Sequence, residues 1–198
     1  ENQAEVICVE PAAYNLRCLR ARFANQPQVK ILNRAVSNRV GVRSMYLQDD
    51  GTTLHTLNPK WKTLLAQPDN GRWETAVGFS ESIAVKTTTL DHLVEQYGRP
   101  FFIKIDVEGH ELEVIRSLSQ AVPHLCFEAN LPQFLEETIE AIHHLTCLDT
   151  QVTFNYSTDD RLLLPEYLSP PSFISFLQKT ELTYMDIFCR STESLKSR

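Results

Sequence analysis

Glycine is scarce in this chain. Six glycines are spread over 198 residues, and no two of them stand one residue apart. A GxGxxG loop is therefore absent, which removes the main sequence argument for a nicotinamide-dependent oxidoreductase. Paired cysteines are lacking as well. The five cysteines, Cys8, Cys18, Cys126, Cys147 and Cys189, are odd in number and form no CxxC pair. Neither a disulfide framework nor a zinc knuckle is expected. Three of them sit in apolar runs, where cysteine acts as a small hydrophobe, and a reducing, cytoplasmic setting is the expectation. No apolar run approaches the roughly 18 residues of a membrane span, and no secretory signal opens the chain. Positive charge is not in excess: the net charge of -6 argues against nucleic acid, because phosphate binding needs basic patches. Repeats and low-complexity segments are also missing.

What is present has the composition of an ordinary globular protein, 42% hydrophobic and 22% charged. The length suits one core, so a single domain over residues 1–198 is expected. The centre of the sequence is FFIKIDVEGHELEVIRSL, residues 101–118. Phe101 to Ile105 is a nearly continuous apolar run, the pattern of a strand buried on both faces of a parallel sheet. The period then changes. Leu112, Ile115 and Leu118 recur at three-residue steps, one face of a helix. Between them, Gly109 suits a sharp reversal because it lacks a Cβ. Asp106 and Glu108 are two apart and point to one side while the chain stays extended. In open α/β sheets the carboxyl edge of the strands is where ligands bind. Acidic residues at such a joint also cap helices and oppose the dipole, and spacing alone leaves both readings open.

A second joint of the same kind comes early. Val6 to Val9 reads as a strand, ending at Glu10-Pro11. A helix follows with Ala12, Leu16, Leu19 and Phe23 on one face, and proline is welcome in its first turn. A carboxylate at Glu10 can accept both ribose hydroxyls of a nucleoside. Further strands are read at 29–32, 40–47, 83–88, 122–127, 151–156 and 183–189. Helices are read after Thr89, which with Asp91 is a capping candidate, after Pro132, and over 173–179. His143 and His144 are adjacent, so they diverge on the helix and read as solvated.

Residues 48–82 show no clear period. This stretch holds Asn58-Pro59, a weak helix at 60–66, and both tryptophans, Trp61 and Trp73. Long irregular segments are usually functional or disordered, and disordered ones lack tryptophan. A lid or substrate loop is expected. The tail, 191–198, is polar and expected to fray.

The run IKIDVEGHELEVI closely resembles the signature of the FkbM-type methyltransferases. The Glu10-Pro11 joint, the Ala35-Val36-Ser37 segment, GTTLH at 51–55 and Thr89-Leu90-Asp91 follow in that family's order. The resemblance spans residues 5–190 by motif order. It implies a Rossmann-like class I methyltransferase fold, mostly parallel, with helices on both faces and a last strand that runs antiparallel. It also implies S-adenosylmethionine as cofactor and methylation of a hydroxyl on a small molecule or glycan. By that resemblance Glu10, Pro11, Ala35, Asp106, Glu108 and Gly109 are expected at the cofactor. Asp106, Glu128 and His55 are expected as catalytic candidates, because an alcohol proton must leave. Glu111 is read as a brace of the turn.

The family pattern opens with a strand and an Asp-x-Gly-Ala-Asn type loop that this chain does not show. The expectation is an enzyme fragment without its first strand and glycine loop. The alternative is a non-catalytic remnant that binds a partner. A metal site on Asp106, Glu108 and His110 is not expected, because the turn has no second ligand cluster.

Overall fold

A computed structural model describes residues 4–49, 52–68, 75–159 and 161–191. Trp73, Gly51 and the tail beyond residue 191 lie outside the described residues. The chain alternates strands and helices. β1 (Val6–Val9) leads into α1 (Ala13–Arg22), then β2 (Val29–Leu32), the short β3 (Ala35–Val36) and β4 (Gly41–Leu47). α2 (Pro59–Leu65), β5 (Glu81–Thr88) and α3 (Leu90–Tyr97) come next. β6 (Phe102–Ile105), α4 (Glu111–Ile115), β7 (His124–Asn130) and α5 (Leu135–Leu148) form the centre. β8 (Thr153–Ser157), α6 (Pro170–Leu177) and β9 (Tyr184–Arg190) complete it.

The strands pair in three groups, ordered β1-β2, β3-β5-β4 and β6-β7-β9-β8. β1 with β2, β3 with β5, and β6 with β7 are parallel. β4 with β5, β7 with β9, and β8 with β9 are antiparallel. The expectation of a mostly parallel sheet is thus met in half of the pairings. The antiparallel half comes from β4 on β5, across α2, and from β9 lying between β7 and β8. The last strand, β9, does run antiparallel to its neighbours.

The joint at residue 105 also differs from a strand covered on both faces. Phe101 is 68% exposed and Phe102 47%, while Ile105 is buried. Among the described strands β6 pairs only with β7, so its outer edge carries no neighbour to cover those rings. Phe101 rests instead edge-on against His124.

The main core lies between β6–β9 and helices α4, α5 and α6. Ile105, Ile115, Leu125, Phe127, Ile142, Phe154, Phe173 and Ile187 all belong to it. β7 is its axis, paired on both sides and buried from Leu125 to Asn130. α5 joins it with Thr138, Ala141, Ile142 and Leu145, one stripe at helical spacing. Glu136 and Glu137 lie in the first turn of α5, where negative charge suits the helix dipole. Thr89 caps α3 by accepting from the N–H of His92 at 3.1 Å. Asp91 instead accepts from Ser119 N–H. His144 is not solvated: its Nε2 meets the carbonyl of Leu118 at 2.9 Å.

A second, smaller core joins Ala12, Ala35, Met45 and Val85. A third joins Trp61, Leu65 and Phe134. The described part of 48–82 is therefore built in. α2 carries Trp61 at 1% exposure and Leu65 at 0%, and Thr56 bridges back to Tyr46. Burying an indole removes a large apolar area from water, which is enough to dock a short helix. No helix among the described residues is long and apolar enough to cross a membrane.

Candidate functional site

β6 ends at Ile105 and α4 begins at Glu111, with five residues between them. The chain reverses at Glu108 and Gly109, with φ of 53° and 84°. Both lie in the left-handed region, routine for glycine but uncommon for a residue with a Cβ. Gly109 also has no room for a side chain. A Cβ there would stand 3.1 Å from Trp61 Cβ and 3.1 Å from the Phe134 ring. Such a turn persists only if its surroundings over-determine it. Here they do. Glu111 Oε1 accepts from Val107 N–H and Gly109 N–H, both at 3.2 Å. Thr56 Oγ1 donates to the Glu108 carbonyl at 2.6 Å, and Asn58 Nδ2 donates to the Gly109 carbonyl.

The turn gathers carboxylates. Oxygens of Asp106, Glu108 and Glu128 lie within 4.8 Å of one another. The parallel register explains why. Ile105 pairs with Phe127, so Asp106 and Glu128 each stand one residue past the last paired position of adjacent strands. Two residues expected as separate candidates are thus brought together by the sheet. Asp106 is exposed, whereas Glu108 and Glu128 are buried. The three offer oxygen ligands of the kind hard cations take. His110 does not join them. Its Nε2 lies 3.0 Å from the Ser37 hydroxyl.

The electrostatics follow burial. Burial pushes Glu111 up to about 8; the Glu128 charge adds to this, and the turn N–H groups oppose it. Burial lowers His110 to about 4, with Arg43 acting the same way and Glu113 opposing. Lys104, two residues before Asp106, ion-pairs with Asp186 and lies 3.8 Å from Asp106. Burial alone would lower its pKa; the Asp186 hydrogen bond and nearby negative charges outweigh that and raise it.

The remaining expected residues are placed as follows. Glu10 follows the end of β1, and its Oε1 accepts from Ala12 N–H at 2.6 Å. The carboxylate thus sits over the first turn of α1. Burial raises its pKa, while the hydrogen bonds to Ala12 and Asn15 oppose the rise. Pro11 beside it is half-buried. Ala35 is buried in the second core, where its methyl packs with Ala12, Met45 and Val85. His55 is half-buried, and its Nδ1 accepts from Gln48 N–H at 3.2 Å. It is not a member of the carboxylate cluster.

Sequence reasoning missed Thr56 and Asn58. Asn58-Pro59 was readable as a cap before a first-turn proline, and Asn58 does cap α2 through Lys60 N–H. Nothing in the sequence pointed to its second partner, 51 residues on. Gly109, Glu111, Glu128, Asn130, Phe134 and Thr138 border a hollow of about 10 Å³, room for roughly one water. A larger cavity, about 230 Å³, lies elsewhere, bordered by Asp91, Arg99 and Ser119. It touches none of the carboxylates of the turn.

The family model described as the Methyltransferase FkbM domain matches residues 1–152. No curated protein matches the chain. Among solved structures it is similar to a methyltransferase FkbM from Methylobacillus flagellatus KT, determined at 2.20 Å resolution. The two are 12% identical, with a TM-score of 0.52, and the match covers 93% of this chain and 36% of that one. At that identity the likeness is one of fold. The chain spans little more than a third of the length of that solved relative.

Proposed function

The chain belongs to the FkbM methyltransferase family, and from that premise we propose that it serves S-adenosylmethionine-dependent methylation of a hydroxyl group. A sugar or secondary-metabolite hydroxyl is the acceptor in this reading. The observation that carries it is the placement of two carboxylates. Glu10 and Asp106 each follow directly on a strand of a parallel pair, β1 with β2 and β6 with β7. That edge is where α/β proteins take nucleoside ligands.

The residues present fit such a cofactor. Asp106 keeps a side chain 56% exposed at the edge of β6, open to a cationic group. Glu10 would accept ribose hydroxyls while sharing its carboxylate with Ala12 N–H. Pro11 and the left-handed Gly109 would border the cofactor. Ala35, with its methyl spent in the core, would contribute backbone alone. Glu108, buried beside Asp106, would set the local negative charge. Bound S-adenosylmethionine supplies an electrophilic methyl group.

The chain's own task is to orient the acceptor oxygen and take its proton. Asp106 is the preferred base, being the exposed member of the cluster. Glu128 is buried beside Glu111 and suits a supporting charge. His55 suits the role less well. With Nδ1 accepting from Gln48, the neutral ring carries its proton on Nε2 and has no lone pair to offer there.

A second reading is favoured by one observation: the acids have structural occupations, Glu10 over the start of α1 and Glu111 under the turn. That would suit a non-catalytic remnant that binds a partner. Calorimetric titration with S-adenosylmethionine separates the two. Binding by the unaltered chain, weakened in Glu10→Ala by one or two charge-assisted bonds of about 1.5–3 kcal/mol each, supports the enzyme. Unchanged affinity in Glu10→Ala removes the ribose role. No binding by the unaltered chain is the outcome common to the remnant and to a fragment without its glycine loop.

A further inference from the structure

Segment 52–68 reaches the Glu108–Gly109 turn through its side chains. Thr56 is fully buried, and its hydroxyl sits at a crossing of three chain segments. It donates to the Glu108 carbonyl at 2.6 Å and accepts from Asn58 N–H at 2.9 Å. Its backbone bridges to Tyr46 in both directions. Asn58 is divided in the same way. Its Oδ1 accepts from Lys60 N–H to start α2, while its Nδ2 donates to the Gly109 carbonyl. Trp61, one turn on, closes against the space where a Gly109 Cβ would be. Consecutive carbonyls of the two left-handed residues are thus held by two side chains from one short segment. The N–H groups on the other side of the turn are held by Glu111. The turn is clamped from both ends of its peptide dipoles.

We propose that Thr56 and Asn58 are positioning residues that lock the Glu108–Gly109 turn, and through it the relative placement of the Asp106, Glu108 and Glu128 carboxylates, in the geometry that receives the cofactor. The assignment of a cofactor rests on the methyltransferase reading; the lock itself does not. Left-handed Glu108 is a conformation an L-residue leaves readily when its carbonyl partner is withdrawn. A released peptide would swing the Glu108 side chain away from Asp106. The lock thus couples segment 52–68 to the carboxylates through backbone carbonyls, without contributing a side chain to them.

Three substitutions test this in the intact chain. Thr56→Val keeps the shape and removes the hydroxyl, which is both the donor to Glu108 and the acceptor for Asn58 N–H. Thr56→Ser keeps the donor. Asn58→Asp keeps the α2 cap, since aspartate caps as well as asparagine, but removes the donor to Gly109 and sets a carboxylate against that carbonyl. Amide hydrogen exchange reads the lock with no ligand present. Val107 and Gly109 amides are expected to exchange about tenfold faster in Thr56→Val and in Asn58→Asp, the loss of roughly one hydrogen bond. Amides of Leu125 to Phe127 should hold their protection, and Thr56→Ser should match the unaltered chain. Titration with S-adenosylhomocysteine should show a dissociation constant raised about tenfold in Thr56→Val and restored in Thr56→Ser.

Unchanged protection of Val107 and Gly109 in both donor-less variants overturns the lock. So does a loss of protection spread equally over β7, or a Thr56→Ser variant as impaired as Thr56→Val. Unaltered S-adenosylhomocysteine affinity alongside a loosened turn overturns the positioning role. Failure of the unaltered chain to bind S-adenosylhomocysteine counts against the methyltransferase reading, while the exchange result still decides the lock.

Discussion

The Ser37 hydroxyl and the Nε2 atom of His110 lie 3.0 Å apart although 73 residues separate them. Both are buried. The pair ties the exit of β3 to the entry of α4, and so joins the two halves of the chain at the turn. Because burial lowers His110 to about 4, the ring is neutral at pH 7. An unfolded histidine titrates near 6.5. Below that value the unfolded chain takes up a proton that the folded chain refuses, so His110 costs stability progressively as pH falls from 6.5 towards 4. In His110→Gln that cost is absent. The stability advantage of the unaltered chain over His110→Gln should shrink by about 1.4 kcal/mol per pH unit between pH 6.5 and 5. Urea denaturation of both proteins at those two pH values checks it, and a constant difference contradicts it.

Glu111 slopes the other way. Its folded value of about 8 lies above the unfolded one near 4.5. The folded chain keeps a proton that the unfolded chain releases, so stability is full below about 4.5 and is lost as pH rises towards 8. Glu111→Gln retains an oxygen for Val107 and Gly109 N–H and has no proton to lose. It should be at least as stable as the unaltered chain at pH 8. Between pH 7 and 8, where the unfolded histidine is also mostly neutral, it should lose a downward slope of roughly 1 kcal/mol per pH unit. Chemical denaturation across that range reads the slope directly.

Gly109→Ala combines a strained φ with a blocked space. The neighbours in the way are the Trp61 Cβ and the Phe134 ring, neither of them the end of a flexible chain. A loss of about 1–3 kcal/mol is expected, read as a lower urea midpoint with an unchanged denaturant slope.

Trp61→Ala should cost more. The indole is 1% exposed and meets Phe134 edge-to-face at 5.7 Å. Removing it leaves a cavity over the turn, a change worth about 3–5 kcal/mol. Thermal unfolding of Trp61→Ala and Trp61→Phe should rank them with Phe in between.

Asp106 and Glu111 should separate by role. Asp106→Asn keeps the size of an exposed side chain and should leave the melting temperature nearly unaltered. It should lower methyl transfer by about 10²–10⁴-fold if Asp106 takes the acceptor proton. Glu111→Gln should alter stability against pH, as above, and leave turnover within a fewfold. Loss of methylation in Glu111→Gln with the fold intact would reverse the assignment.

Much of this was written locally. The change of period across residues 101–118 marks the strand, the turn and the helix, and Gly109 marks the reversal, because each signal lies within a few residues of what it specifies. Thr89 as a cap was legible for the same reason. The cover of Phe101 and Phe102 was not legible. An apolar run states what a strand can bury, while the number of neighbours decides what it does bury. Nor was His144 legible, since its partner is the Leu118 carbonyl on another element.

The sequence by itself determined the family, the order of the elements and the carboxylates at two strand ends. These depend on short-range periodicity and on motifs that read in one pass. Tertiary structure alone decided that Asp106 and Glu128 meet, that His110 turns to Ser37 rather than to them, and that Thr56 and Asn58 hold the turn. The first follows from the parallel register of β6 on β7, and the others from side chains crossing between segments 51 to 73 residues apart. Such contacts are specified by the packing of the whole chain, in which a residue's partner is set by register and burial rather than by its neighbours in sequence.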